Sequence, residues 1–224
     1  MYYKLYKKNL LILLIVFLLV LTLPSCSSAV SFDKGYKQAQ YSDTTYVLYT
    51  DNGDLTDWIP LPSPEQIQKV DRTDIFPISA SSFDPVYATL ETPANFLIIS
   101  TNGESAIEDR SSIALKRVDL ELSSVFETKY AGIQVKYANG VSESEKVIEE
   151  FISNKSTFTD IVGEEPNTTT QRPTDAKVYC TLYCTHPEID YLVCKLTVLV
   201  SNDQYYLLVY PESNQEMYYL LNLQ

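Results

Sequence analysis

The chain has 224 residues, 45% of them hydrophobic and 12% aromatic, and its 17 basic against 29 acidic side chains give a net charge of −12. That balance argues against a nucleic-acid partner, which needs a concentrated basic face, and against docking on anionic lipid by charge. Eighteen tyrosines suit half-buried pleated surfaces and favour strands over helices.

At the N-terminus, Lys4, Lys7 and Lys8 precede a run from Leu10 to Leu23 that is apolar except for Thr22. A basic start, about 7–15 apolar residues and a small residue at the cut describe a secretory signal. The run is shorter than the roughly 20 apolar residues of a membrane-spanning helix. Ser, Cys, Ser, Ser and Ala follow it instead of stop-transfer charges, so residues 1–25 are expected to be a cleaved signal peptide. Leu23-Pro24-Ser25-Cys26 resembles the lipobox of bacterial lipoproteins. The resemblance covers the first 26 residues and implies a cut before Cys26, acylation of its thiol, and a mature chain anchored to the cell membrane on its extracytoplasmic side. Each buried CH₂ of such an anchor contributes about 0.8 kcal/mol. The alternative is an ordinary secreted protein in which Cys26 is incidental. Removing residues 1–25 takes away three lysines and no acid, leaving 14 basic against 29 acidic residues and a net charge of −15. About 199 residues remain, enough for one large domain or two small ones.

Residues 26–42 are polar and aperiodic and read as a tether. The rest, 43–224, reads as a single domain with an N-terminal β-rich subdomain over 43–110 as a further division. Residues 45–50 predict a strand, Asn52-Gly53 a tight hairpin turn, and residues 55–60 a returning strand that carries Trp58. Residues 96–100 with Asn102-Gly103 have the same form 50 residues on. Between them, Ser63-Pro64-Glu65-Gln66 predicts a short helix over 64–70, and 71–95 a long loop with one strand at 85–90. Strands are predicted over 112–122 and 125–138. Ser142 to Glu145 is a capping box, and Val147, Ile148, Phe151 and Ile152 form one stripe of a helix over 143–154. Residues 163–175 read as a loop. Strands over 176–186, 191–201 and 205–210 then form a meander. Residues 214–222 fit a helix behind Ser213–Glu216 or a strand. The predicted class is α+β, mainly antiparallel sheet packed against one or two helices. This order over 142–224 resembles the C-terminal half of the PsbP-like fold, which implies an antiparallel sheet flanked by helices and a protein-binding accessory role.

The stretch from Val178 to Cys194 holds three of the four cysteines and the single histidine. Alternation puts Val178, Cys180, Leu182, Cys184 and His186 on one face. Tyr179, Thr181, Tyr183 and Thr185 fall on the other, which makes Tyr179 and Tyr183 a candidate binding face. Three chemistries fit the cysteines. They pack as small hydrophobes. Or Cys184 and Cys194 form a disulfide, since a hairpin centred on Ile189 sets them opposite each other. Or Cys180, Cys184, His186 and Cys194 hold zinc, although a straight strand spreads them over about 20 Å where such sites use close pairs.

No sequence pattern calls for a cofactor or a catalytic residue. There is no G-x-S-x-G elbow and no phosphate-cradling glycine loop. Asp51, Asp54 and Asp57 do not match a calcium loop, and the sequons at Asn154 and Asn167 matter only in a eukaryote. The expected function is a non-catalytic, anchored binding or accessory protein with an envelope or secreted protein partner. The alternatives are a hydrolase using paired carboxylates, marked by a pocket with a raised pKa, and a small-ligand binder, marked by a cavity of several hundred Å³.

Overall fold

The computed structural model describes residues 30–33, 37–49, 57–70, 86–99, 112–142, 146–210 and 215–223. The signal segment, Cys26 and the turns at Asn52-Gly53 and Asn102-Gly103 lie outside them.

Fourteen strands are described: β1 (Ser31–Phe32), β2 (Gln38–Tyr41), β3 (Thr44–Leu48), β4 (Trp58–Pro60), β5 (Ile67–Val70), β6 (Val86–Thr89), β7 (Phe96–Ile99), β8 (Ile113–Arg117), β9 (Gly132–Tyr137), β10 (Thr168–Thr169), β11 (Lys177–Thr185), β12 (Leu192–Ser201), β13 (Gln204–Val209) and β14 (Met217–Leu221). Two short helices join them, α1 (Ile148–Ile152) and α2 (Phe158–Val162). All strand pairs are antiparallel and fall into two sheets. Among the described residues, no helix is long and apolar enough to cross a membrane.

The first sheet runs β1-β2-β3-β8-β7-β6-β5. Its inner face gathers Val30, Ala39, Tyr41, Tyr46, Val70, Val86, Ala88, Leu97, Ile99 and Leu115 into a core of its own. The sheet therefore curls. Gln68 of β5 donates to the Tyr41 hydroxyl of β2 at 3.3 Å, although four strands separate them in the order. The fully buried Tyr46 spans this interior and donates to the Ala94 carbonyl at 2.6 Å. Residues 30–42, expected as tether, thus carry two strands and three buried side chains of this core. Ser42 and Asp43 both have positive φ (47° and 62°), the two-residue turn whose twist suits a hairpin.

The second sheet runs β10-β14-β13-β12-β11-β9, and β4 lies beside the N-terminal end of β12. The hairpin expected between 45–50 and 55–60 does not form. Both edges of β3 are taken by β2 and β8, so β4 crosses to the other sheet. The helix expected over 64–70 is one 3-10 turn, Pro64–Gln66, followed by β5. The strands expected over 112–122 and 125–138 shorten to β8 and β9, with an irregular segment between. The helix predicted over 143–154 shortens to α1, Ile148–Ile152, and residues 143–145 lie outside the described residues. The last segment is the strand β14. Glu216, expected in a helix cap, instead accepts from the hydroxyls of Tyr210, at 3.0 Å, and Tyr218.

One face of the second sheet forms the larger core, where Cys180, Leu182, Leu196, Val198 and Leu207 meet Ile148, Ile152, Phe158 and Ile161 of the helices. Phe96, Ile98 and Ala114 enter it from the outer face of the first sheet. β7 is accordingly buried on both faces and joins the two sheets.

Candidate functional site

A cleft of about 910 Å³ opens where the ends of β3 and β8 meet β4 and the irregular segment 118–128. It falls within the roughly 300–1,000 Å³ of small-molecule sites. Tyr49, Trp58, Phe126 and Tyr210 supply aromatic walls, and Asp57, Glu121 and Glu127 outnumber Lys116. Side chains fix the irregular wall by bonding its main-chain carbonyls. The Lys116 ammonium donates to Leu120 at 2.7 Å and the Trp58 indole to Ser123 at 2.7 Å. The Thr128 hydroxyl donates to Ser124 at 2.7 Å and the Tyr130 hydroxyl to Val125 at 2.9 Å. A coil whose carbonyls are held this way is a preformed surface. The sequence reading missed the cleft because it assigned this segment to two strands; Asp119, Ser123 and Ser124, all turn formers, were the available signal.

Trp58 also meets His186 edge-on at 4.9 Å and Tyr130 at 6.3 Å. Burial lowers the His186 pKa against the opposing charge of Glu188. Its Nδ1 accepts the Glu188 N–H at 3.1 Å. Desolvation raises the Tyr130 hydroxyl far above its ordinary value. Cys184 stands opposite Cys194, and Cys194 opposite Trp58, so Cys184, Cys194 and Trp58 form one row across β11, β12 and β4. Cys180, Cys184 and Cys194 are buried and outside any disulfide in this structure. Among the described residues, no group of three or more His, Cys, Asp or Glu side chains is placed to hold a metal ion.

The proposed tyrosine face divides. Tyr183 lies on the outer side of the sheet, half-buried, with the Lys195 ammonium 5.5 Å above its ring. Tyr179 is only 5% exposed and belongs to the core. The β11–β12 register slips between Val178 and Cys180, and the bulge turns Tyr179 inward while leaving Val178 52% exposed. Its ring packs edge-on against Tyr137 and Tyr205, at 5.5 and 4.9 Å, and its hydroxyl accepts the Val147 N–H at 3.4 Å.

The chain matches no family model, no curated protein and no solved structure.

Proposed function

We propose that this chain is an extracytoplasmic lipoprotein, anchored to the cell membrane through acylated Cys26, whose α+β domain is a non-catalytic binding module. The basic start, the apolar run and Leu23-Pro24-Ser25-Cys26 support the address. The preformed, aromatic-walled cleft at Trp58 carries the binding reading, with an envelope or secreted component as its partner. Its volume also favours a small ligand, the second reading. A hydrolase, the remaining alternative, would need a carboxyl group raised toward neutrality as general acid.

The address is tested by intact mass and detergent partitioning of the protein from its host beside Cys26→Ala. A diacyl-sized increment on Cys26, with partitioning lost in the variant, is expected. An unmodified N-terminus in the aqueous phase would overturn the anchor. For the cleft, native mass spectrometry of the purified protein should show a bound envelope-derived molecule that Tyr49→Ala loses; retention by the variant would move binding elsewhere.

A further inference from the structure

We propose that Cys184 and Cys194 join as a disulfide when the chain folds in the presence of a disulfide-bearing oxidant, and that Trp58, the single tryptophan, reports the bond. The proposal rests on the exported reading for its setting, and on the sheet register for its chemistry.

The two residues are directly opposite each other on β11 and β12. The His186 N–H donates to the Leu192 carbonyl at 2.8 Å. Antiparallel bonds alternate every second residue, so Cys184 and Cys194 occupy the next hydrogen-bonded position. Such pairs have Cα atoms about 5.5 Å apart, inside the roughly 4.4–6.8 Å that a disulfide spans. Both side chains project to the same face, and both are fully buried. The third thiol does not compete. Cys180 lies four residues along the strand from Cys184, about 13 Å away, and stands opposite Val198.

The bond forms by exchange. One cysteine thiolate attacks the oxidant's disulfide, giving a mixed disulfide and releasing one oxidant sulfur. The second cysteine thiolate then attacks the mixed disulfide and releases the other. The protein dithiol is oxidised by two electrons, the oxidant disulfide is reduced by two, and the two thiol protons end on the released sulfurs. Burial pushes the Cys184 thiol up to about 12, which suppresses the attacking thiolate in the finished fold. Exchange therefore belongs to the period before β11 and β12 close. Once formed, the bond is shielded from outside reductants.

The test uses the full chain carrying Cys26→Ala, so that lipidation does not enter. Reduced, unfolded chain is refolded with glutathione disulfide, unfolded again with iodoacetamide, and weighed. One alkyl group is expected where the reduced control takes three. Cleavage after Glu188 should leave two peptides joined until reduction. Cys180→Ser should keep the link and Cys184→Ser should lose it. Native oxidised chain should show weaker Trp58 emission than native reduced chain, because the disulfide is an electron acceptor lying next to the indole in the same row. Three alkyl groups after oxidative refolding would overturn the proposal, as would a link that survives Cys184→Ser. The two readings fail separately. If protein from the host is unacylated and reduced while the isolated chain still forms the link, the export reading falls and the pairing stands.

Discussion

The two sheets solve burial in opposite ways. The second sheet puts one face on the larger core and turns the other mostly outward, where Leu199 and Tyr218 are nonetheless buried. Two of its strands show the alternation: β9 is exposed and half-buried by turns, and β11 alternates from Cys180 onward. The first sheet curls and fills its interior with its own side chains, while its middle strands also press outward on the second sheet. β7 shows the result, since all four of Phe96, Leu97, Ile98 and Ile99 are buried. A strand covered on both faces loses its period of two. What looks like one apolar run is two alternating faces committed to different cores.

Phe96 and Leu97 test this division most strongly. They are neighbours in sequence and both fully buried, but Phe96 packs edge-on against Tyr49 and Tyr191 at 5.5 and 6.4 Å, whereas Leu97 belongs to the curled core. Phe96→Ala should cost about 3–5 kcal/mol and Leu97→Ala about 2–5 kcal/mol. Their reach should differ. In Phe96→Ala, amide exchange should accelerate in β12 of the second sheet as well as in β7. In Leu97→Ala it should accelerate within the first sheet. Unchanged β12 exchange in Phe96→Ala would break the view that the sheets share a core.

Tyr46 is the next step down. Its hydroxyl is pushed up to about 12 by burial, so its bond to Ala94 persists across the ordinary pH range. Tyr46→Phe keeps the ring and orphans a buried carbonyl, which should lower stability by about 1–2 kcal/mol. A urea midpoint indistinguishable from wild type would show that water or another donor already serves Ala94.

The legible part of the fold follows the same division. The C-terminal meander was readable because its strands are long, alternate and are joined by short turns. Asn202 and Asp203, both with positive φ, close β12 onto β13 as expected. Even the Cys184–Cys194 register followed from centring the hairpin on Ile189. The first sheet was obscure because its pairings are set by competition between distant segments. β4 carries an ordinary strand signal, yet its partner is β12, more than 130 residues on. Capping boxes show the same limit. Ser63-x-x-Gln66 and Thr157-x-x-Asp160 are alike locally. Phe158, Ile161 and Val162 repeat at helical spacing behind the second and form α2, which was not anticipated. Behind the first, pairing with β6 draws Ile67–Val70 into a strand. The cleft at Trp58 is legible only in the turn formers Asp119, Ser123 and Ser124, because its wall owes its shape to Trp58, Lys116 and Tyr130 bonding main-chain carbonyls, contacts with no sequence period.

α2 supports the second sheet from its covered side, through Phe158 against Tyr219 at 5.4 Å. The Thr157 hydroxyl accepts the Asp160 N–H at 3.0 Å, while the Asp160 carboxylate accepts the N–H groups of Ser156 and Thr157, each at 2.9 Å. Thr157→Ala should cost about 1 kcal/mol, with little change for Thr157→Ser. Equal losses for the two would indicate that the threonine methyl, and not the cap, matters.

The smallest expected effect distinguishes the sheets by pH. His186 is the only histidine in the chain, is 6% exposed, and belongs to the end of the second sheet that meets Trp58. Burial lowers its pKa below the usual value of about 6.5. The unfolded chain then binds the proton at a higher pH than the folded chain does. Between the two values the unfolded state carries more protons, so stability rises with pH across that window. The contribution is fully present above about pH 6.5, declines as pH falls toward the folded value, and levels off below it. Urea midpoints at several pH values between neutrality and the onset of carboxylate titration should therefore fall in wild type and stay flatter in His186→Gln. Exchange at β12 should follow that fall more closely than exchange at β7. An unchanged slope in His186→Gln would mean that this end of the second sheet takes up the proton without cost, and that its shielding is incomplete where it meets the first.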